Sequence, residues 1–197
     1  MNTLLFKPFE KYSENKLLIV GTLATLAGIY LATTFNIRFD GVLDVHTVEK
    51  VSYLQALLDS LIDIISLVLL LFLAAKYSNP KTRFIDIITT ALIARIPLYF
   101  LSFGNWNNML YKAGETILQR LTPEAISEIP SATFWLLAVF SIGSIIVLIW
   151  YISLLFNGFK TASNAKGKKA VYIFIGALII AEIISKIAIY SISEKII

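Results

Sequence analysis

Two long apolar runs joined by a short basic loop constrain this chain more than any other feature. The first run, Phe134 to Phe156, contains no charged residue, and the second, Ala170 to Tyr190, is interrupted only by Glu182 and Lys186. A helix needs about 20 predominantly apolar residues to cross the hydrocarbon core of a bilayer, and both runs have that length. The pair therefore predicts a membrane-spanning helical hairpin.

Three further segments have the same apolar character, and the composition agrees with them. Of the 197 residues, 57% are hydrophobic and 15% are charged, whereas a soluble domain carries about 25% charged residues. We therefore expect an all-α integral membrane bundle of five transmembrane helices. Residues 17–197 would form one membrane domain, and residues 1–16 a cytoplasmic tail. The predicted spans are 17–35, 57–75, 84–103, 134–156 and 170–190.

Local sequence features refine this picture at three places. Pro97 lacks a backbone donor, so a kink is expected in the third span. The connection that follows predicts an interfacial helix from Trp106 to Leu121. Residues 36–56 are polar, and there we expect a loop at Asp40-Gly41 and a helix from about Thr47, with that threonine as its cap.

Basic residues are distributed unevenly between the connections. If five spans alternate in direction, the amino-terminal tail and the second and fourth connections share one side, with ten lysines and arginines against five on the other side. The positive-inside rule then predicts a cytoplasmic amino terminus and an external carboxyl terminus. The ten are Lys7, Lys11, Lys16, Lys76, Lys81, Arg83, Lys160, Lys166, Lys168 and Lys169; the five are Arg38, Lys50, Lys112, Arg120 and Lys195.

Five charged residues in spans two, three and five form the most distinctive candidate site: Asp59, Asp63, Arg95, Glu182 and Lys186. At a rise of about 1.5 Å per residue, all five lie in the same half of the bilayer. An unpaired charge at the helix centre costs roughly 2.5 to 3.5 kcal/mol of insertion free energy, so these groups need partners. We expect one inward-facing polar cluster, in which Arg95 binds Asp63, Glu182 or both, and Lys186 completes it nearer the surface.

Two interpretations of this cluster remain open. Ionisable residues inside a membrane are candidates for a proton, ion or substrate site. The same charges could instead form a structural network of ion pairs that holds spans two, three and five together. A continuous polar cavity reaching the cluster from a surface would favour transport, and a dry network with every charge paired would favour a structural role.

Two other sets of residues are candidates for contacts with lipid or with other helices. The lysines of the fourth connection could contact anionic lipid, although they also serve as the orientation signal described above. Small residues spaced four apart permit close helix packing. The lysines are Lys160, Lys166, Lys168 and Lys169, and the small residues are Ala24, Gly28 and Ala32 in the first span and Ala177, Ala181 and Ser185 in the fifth.

Several classes of chemistry have no support in the sequence. The chain has no cysteine, and its single histidine, His46, lies in a connection. We find no P-loop, no nucleophile elbow, no zinc-protease motif and no dinucleotide fingerprint. We therefore expect no catalytic residue, metal site or cofactor. The basic residues lie beside membrane spans, so the expected partner is membrane lipid rather than nucleic acid, together with other membrane proteins or a second copy of the chain.

Parts of the hairpin and of the third span resemble a known family. Leu155–Asn164, Gly167–Ala170 and Ile88–Pro97 resemble the corresponding segments of bacterial Yip-domain proteins, a family named for Ypt/Rab-interacting proteins. The resemblance covers residues 50–190 and implies a non-enzymatic polytopic protein of the bacterial cytoplasmic membrane. Eukaryotic members engage small GTPases through an amino-terminal cytosolic region. Residues 1–16 offer no counterpart of that region, so GTPase binding is not expected here.

The sequence thus leaves two functional hypotheses. The first is a membrane scaffold or partner-binding protein of the Yip-like class, whose binding surfaces would be the cytoplasmic basic loops and the two small-residue stripes. The second is a small transporter, channel or lipid-handling protein that works through Asp63, Arg95, Glu182 and Lys186.

Overall fold

A computed structural model describes residues 5–119 and 129–196, and this part of the chain is almost entirely helical. Five stretches are long and apolar enough to cross a membrane, namely 14–35, 53–78, 84–118, 131–163 and 167–193. This confirms the all-α class and the five candidate spans. The helices are α1 (Glu14–Phe35), α2 (Tyr53–Ser78), α3 (Phe84–Ala94), α4 (Ile96–Tyr99), α5 (Met109–Leu118), α6 (Ser131–Ser163) and α7 (Gly167–Ile196).

The third stretch is interrupted close to the expected kink. α3 ends at Ala94, and Arg95 forms a turn. Pro97 lies in the first turn of α4, where a backbone N–H has no intrahelical acceptor, so the missing N–H of proline costs no hydrogen bond. A 3₁₀ segment, Phe100–Asn108, follows. The helix expected from Trp106 begins only at Met109, because Trp106 and Asn107 have non-helical backbone angles. Its expected end at Leu121 lies outside the described residues.

The connection between α1 and α2 is folded rather than open. Strands β1 (Ile37–Arg38) and β2 (His46–Thr47) pair antiparallel, which closes a hairpin. Thr47 is therefore in a strand, and the expectation that it caps α2 is wrong. Ser52 is the cap, and its hydroxyl accepts a hydrogen bond of 3.2 Å from the Gln55 backbone N–H. We call residues 36–52 the 36–52 loop.

The 36–52 loop enters the bundle because its apolar side chains are buried there. Ile37, Phe39 and Val42 belong to the same hydrophobic core as the helices. Asn36 adopts a left-handed conformation that ends α1, as asparagine does at many helix ends. We call the side of the bundle that carries this loop the loop face. The opposite side, with the α2–α3 and α6–α7 connections, is the basic face.

The packing of the helices places α3 at the centre. α3 contacts α1, α2 and α6, whereas α7 packs mainly on α2. α6 and α7 hardly contact each other beyond their turn, so the two arms of the predicted hairpin diverge within the bundle. Tyr151, Leu154, Leu155 and Phe159 of α6 are buried, whereas no residue from 131 to 150 is. The interior therefore lies among α1, α2, α3, α7 and the second half of α6.

Candidate functional site in the bundle interior

A buried ion pair lies at the centre of the bundle. Arg95, in the turn between α3 and α4, donates from Nη2 to Asp63 Oδ2 of α2 at 2.9 Å. Both side chains are 0% exposed. The interruption of the third stretch thus brings a guanidinium to the interior at the level of the α2 carboxylate. Of the partners that the sequence leaves open for Arg95, which are Asp63, Glu182 or both, the structure has Asp63.

Two tyrosines complete what we call the central polar site, which consists of Asp63, Arg95, Tyr99 and Tyr151. Tyr99 and Tyr151 both interact electrostatically with Arg95. The Tyr99 hydroxyl also donates to Thr25 Oγ1 of α1 at 3.4 Å, so the site draws on α1, α2, α4 and α6. Buried polar side chains of this kind normally have their hydrogen-bonding capacity satisfied.

Several atoms of the central polar site retain hydrogen-bonding capacity. Asp63 Oδ1, Arg95 Nε and Nη1 and the Tyr151 hydroxyl are buried and have no hydrogen-bond partner among the described residues. The site therefore presents guanidinium and phenol donors beside one free carboxylate oxygen. Such a set could exchange a proton or bind a small anion, provided that a route for either exists.

Asp59 is not part of this site. Its carboxylate binds Arg38 of the 36–52 loop in a bidentate manner, with Arg38 Nε and Nη2 each 2.9 Å from a carboxylate oxygen. Arg38 also donates to Ser193 Oγ of α7 at 3.2 Å. The repulsion expected between Asp59 and Asp63 is thus relieved by two separate cations rather than by a shared one.

Glu182 and Lys186 likewise bind the 36–52 loop. Glu182 Oε2 accepts from the Leu43 backbone N–H at 2.7 Å, and Lys186 Nζ lies 2.5 Å from Asp44 Oδ2 and 3.5 Å from Glu182 Oε1. The Val42 N–H donates to Ser185 Oγ of the same helix at 3.2 Å. The polar residues of α7 therefore satisfy backbone groups that would be costly to leave unpaired at this depth.

The single cluster expected from the sequence is therefore three separate groups, and Arg95 binds Asp63 rather than Glu182. The reason is the 36–52 loop, which contributes Arg38 to Asp59 and contributes Asp44 and two backbone amides to α7. Sequence reasoning missed Arg38, Asp44 and Tyr151. The alternation of Ile37, Arg38, Phe39 and Asp40 is the signal that could have shown a half-buried segment there.

His46 takes part in an ion pair at the loop face. Its Nδ1 atom lies 2.9 Å from Asp40 Oδ1. The hydrogen bond with Asp40 raises the pKa of His46 above its ordinary value. Burial opposes the charged form of Asp40, but the interactions with His46 and Arg38 outweigh it and lower the pKa of that carboxyl. Asp40, Asp44 and His46 have ligand atoms within 4.8 Å of one another. Both carboxylates, however, already face cationic side chains.

The lysines of the α6–α7 turn lie at the surface of the basic face. All four, namely Lys160, Lys166, Lys168 and Lys169, are exposed. Lys160 Nζ lies 5.5 Å from the ring centroid of Phe156, and Lys169 Nζ lies 5.1 Å from that of Tyr77. These positions leave the ammonium groups accessible to lipid phosphates.

Both small-residue stripes are used inside the chain. A Cβ added at Gly28 would lie 2.5 Å from the Tyr99 ring, so α1 and α4 are in close contact there. Ala32 is buried and Ala24 is half-buried on the same helix. The residues of the second stripe, Ala177, Ala181 and Ser185, are buried as well. Neighbouring elements of the same chain therefore cover most of both stripes, as expected of helix-packing residues, and leave little of them free for a partner.

Comparison of this chain with protein-family models, with characterised proteins and with solved structures gives no match. Its function has to be inferred from the geometry described above.

Proposed function

We propose that this chain is a non-enzymatic integral membrane protein of the Yip-like class. It would act as a scaffold or bind partner proteins. One observation supports this most directly. Each of the five intramembrane charges binds a group on another element of the chain. Charges used in this way hold the 36–52 loop and the helices in one arrangement.

The burial of the central pair favours this role over conduction. A conducting path needs a polar route between Asp63 and a surface, and both residues of the pair are 0% exposed. The two cavities on the basic face, of about 490 Å³ each, are lined by residues outside the central polar site. Removing either residue of such a pair leaves the charge of the other buried and uncompensated. The pair is therefore suited to a structural role.

The basic face is the proposed docking surface. Lys169 lies close to Tyr77 at the end of α2, so the turn that carries the four exposed lysines lies on the same side of the bundle as the end of α2. We assign this face to the cytoplasm of a bacterial cell, because basic residues accumulate on that side of membrane proteins. Anionic lipid would then lie beside it and attract the same lysines that would bind an acidic partner.

Site-specific photocrosslinking in cell membranes tests partner binding. A photoreactive amino acid at position 168 should give a discrete protein adduct, whereas the same group at Ile145, on the exposed half of α6, should give lipid adducts. Lipid adducts alone at position 168 would contradict the proposal. Adding the Lys166→Ala and Lys169→Ala substitutions to the chain that is labelled at position 168 should weaken the protein adduct.

A second candidate function, proton or anion transfer, is favoured by the unsatisfied atoms of Asp63, Arg95 and Tyr151. Liposomes that contain the purified protein and a pH-sensitive dye distinguish the two. A scaffold should give the proton flux of protein-free liposomes. A higher flux that is abolished by Asp63→Asn and by Tyr151→Phe, but not by Glu49→Gln in the 36–52 loop, would establish the second function instead.

A further inference from the structure

An apolar cavity of about 490 Å³ lies on the basic face between α1, α4 and α6. Leu17 and Val20 of α1, Ile96 and Pro97 of α4 and Leu154 of α6 line it, together with residues of the amino-terminal segment. Lys16 and Tyr12 are the polar residues at its margin. Ile19 and Val20 are more than half exposed and lie on a helix long and apolar enough to cross a membrane, so the cavity borders the hydrocarbon.

A second cavity of about 490 Å³ adjoins the first, and its lining is mixed, with charged and polar residues beside Phe9, Leu17 and Ala162. The two share Tyr12 and Leu17 as a common wall. The second is lined in addition by Glu14, Arg83 and Asp86 and by the threonines Thr89, Thr90 and Thr161. An apolar compartment beside a polar one at the end of the membrane spans matches the division of a phospholipid into acyl chain and headgroup.

The amino-terminal segment, residues 5–13, is held in place by hydrogen bonds and helps to enclose both cavities. Trp150 Nε1 of α6 donates to the Leu5 carbonyl at 2.7 Å, and Asn157 Nδ2 donates to the Phe6 carbonyl at 3.0 Å. The segment then forms a 3₁₀ turn, Pro8–Glu10, with Pro8 buried. Leu5 and Pro8 line the apolar cavity, and Phe9 and Ser13 line the polar one. The segment thus forms part of the wall of both compartments.

The charges around the site suit a zwitterionic headgroup. Arg83 Nη2 lies 2.7 Å from Glu14 Oε2 and 2.6 Å from Asp86 Oδ1, so two carboxylates share one guanidinium and this group is net negative. Lys16 has no ion-pair partner in the described part of the chain and lies at the margin of the apolar cavity. A cationic amine would complement the first group, and a phosphate would complement Lys16.

We propose that the two cavities bind one ethanolamine-type phospholipid. One acyl chain occupies the apolar cavity, the phosphate lies near Lys16, and the amine lies near Glu14 and Asp86. Acyl chains can enter from the hydrocarbon directly, which water-soluble ligands cannot do. This site is independent of the scaffold function proposed above, so its absence would leave that proposal standing.

The test is lipid retention by the full-length protein, measured by native mass spectrometry after incubation with phosphatidylethanolamine or phosphatidylglycerol in detergent. The wild-type chain should retain one phosphatidylethanolamine and bind it about tenfold more tightly than phosphatidylglycerol, which corresponds to about 1.4 kcal/mol. Equal or stronger retention of phosphatidylglycerol would overturn the assignment of the headgroup.

Variants locate the bound lipid. Val20→Trp fills the apolar cavity and should abolish retention, whereas Ile145→Trp on the exposed half of α6 should leave it unchanged. Trp150→Phe removes the donor to Leu5 and should speed lipid exchange without filling the cavity.

The double variant Glu14→Gln, Asp86→Asn should lose the preference for the amine headgroup. Wild-type retention in a folded Val20→Trp, or an unchanged rate of lipid exchange in Trp150→Phe, would overturn the proposal.

Discussion

Arg95 and Asp63 are fully buried, so each depends on the other to compensate its charge. We predict that Arg95→Leu or Asp63→Leu lowers the free energy of unfolding by about 3 to 5 kcal/mol, because the remaining charge is left buried and unpaired. The double variant should lose less than the sum of the two single losses. The measurement is denaturation of the detergent-solubilised protein, followed by tryptophan fluorescence.

Lys112→Leu is the control for this cycle, because Lys112 is an exposed cation and should change the free energy of unfolding by less than about 0.5 kcal/mol. Strict additivity of the Arg95 and Asp63 substitutions would show that the two residues are not coupled. It would also remove the main physical support for the scaffold function.

The pair of His46 and Asp40 gives a second prediction for single residues. The pKa of His46 is raised, so its contribution to stability is complete below the ordinary value of about 6.5 and is lost as pH rises through the raised value. The pKa of Asp40 is lowered, so its contribution is lost only at acidic pH, below its ordinary value. The ion pair should therefore stabilise the 36–52 loop most between these two transitions.

Proton NMR can measure this directly, because His46 is the single histidine of the chain. Its ring protons should titrate above the ordinary value of about 6.5. Asp40→Asn should move the midpoint downward, because the charged partner is lost while the burial that opposes protonation remains. A midpoint that does not change in Asp40→Asn would show that the pair does not form in solution.

At the level of helices, the close contact between Gly28 of α1 and the ring of Tyr99 in α4 can be tested by substitution. A methyl group at Gly28 would lie 2.5 to 2.7 Å from ring atoms of Tyr99, and that ring is buried. We predict that Gly28→Ala lowers the free energy of unfolding by about 1 to 2 kcal/mol, as overpacking outweighs the better helix propensity of alanine. Thermal unfolding in detergent provides the measurement.

Gly143 is the matched control, since it is also a helical glycine but nothing lies within 4 Å of an added Cβ. Gly143→Ala should be neutral or raise stability by up to about 1 kcal/mol through helix propensity. If the two substitutions had equal effects, the contact of α1 with Tyr99 would not be as close as described.

Hydropathy predicts helices well here and predicts the 36–52 loop poorly. A long apolar run such as Phe134–Phe156 needs only local information to be assigned to a helix. The burial of Val42, by contrast, accompanies hydrogen bonds from the Val42 N–H to Ser185 and from the Leu43 N–H to Glu182, which lie 143 and 139 residues away in the chain. Depth alone leaves Asp63 and Glu182 as alternative partners of Arg95. It does not predict that Arg38 binds Asp59 or that Asp44 binds Lys186, because Arg38 and Asp44 lie in a segment that looks polar and exposed.

For the whole molecule, the arrangement divides the bundle into two unequal parts. α2, α7 and the 36–52 loop are joined by hydrogen bonds and ion pairs, together with the central pair to α3. Residues 131–150, in the first half of α6, include no buried residue and lie outside this bonded part. A loop that is bonded to two helices on one face, and accessible lysines on the other, are compatible with the scaffold function proposed above.

Orientation in the membrane is the last prediction, and the absence of cysteine makes it straightforward to test. The test uses the variants Lys168→Cys and Lys50→Cys. Position 168 lies on the basic face, position 50 lies on the loop face, and both are exposed. We predict that a membrane-impermeant maleimide added to intact bacterial spheroplasts labels position 50 and labels position 168 only after the membrane is permeabilised, because the basic face is cytoplasmic. Labelling of position 168 alone would reverse the orientation. Labelling of both positions in intact spheroplasts would show that the two faces lie on the same side, which five membrane crossings do not allow.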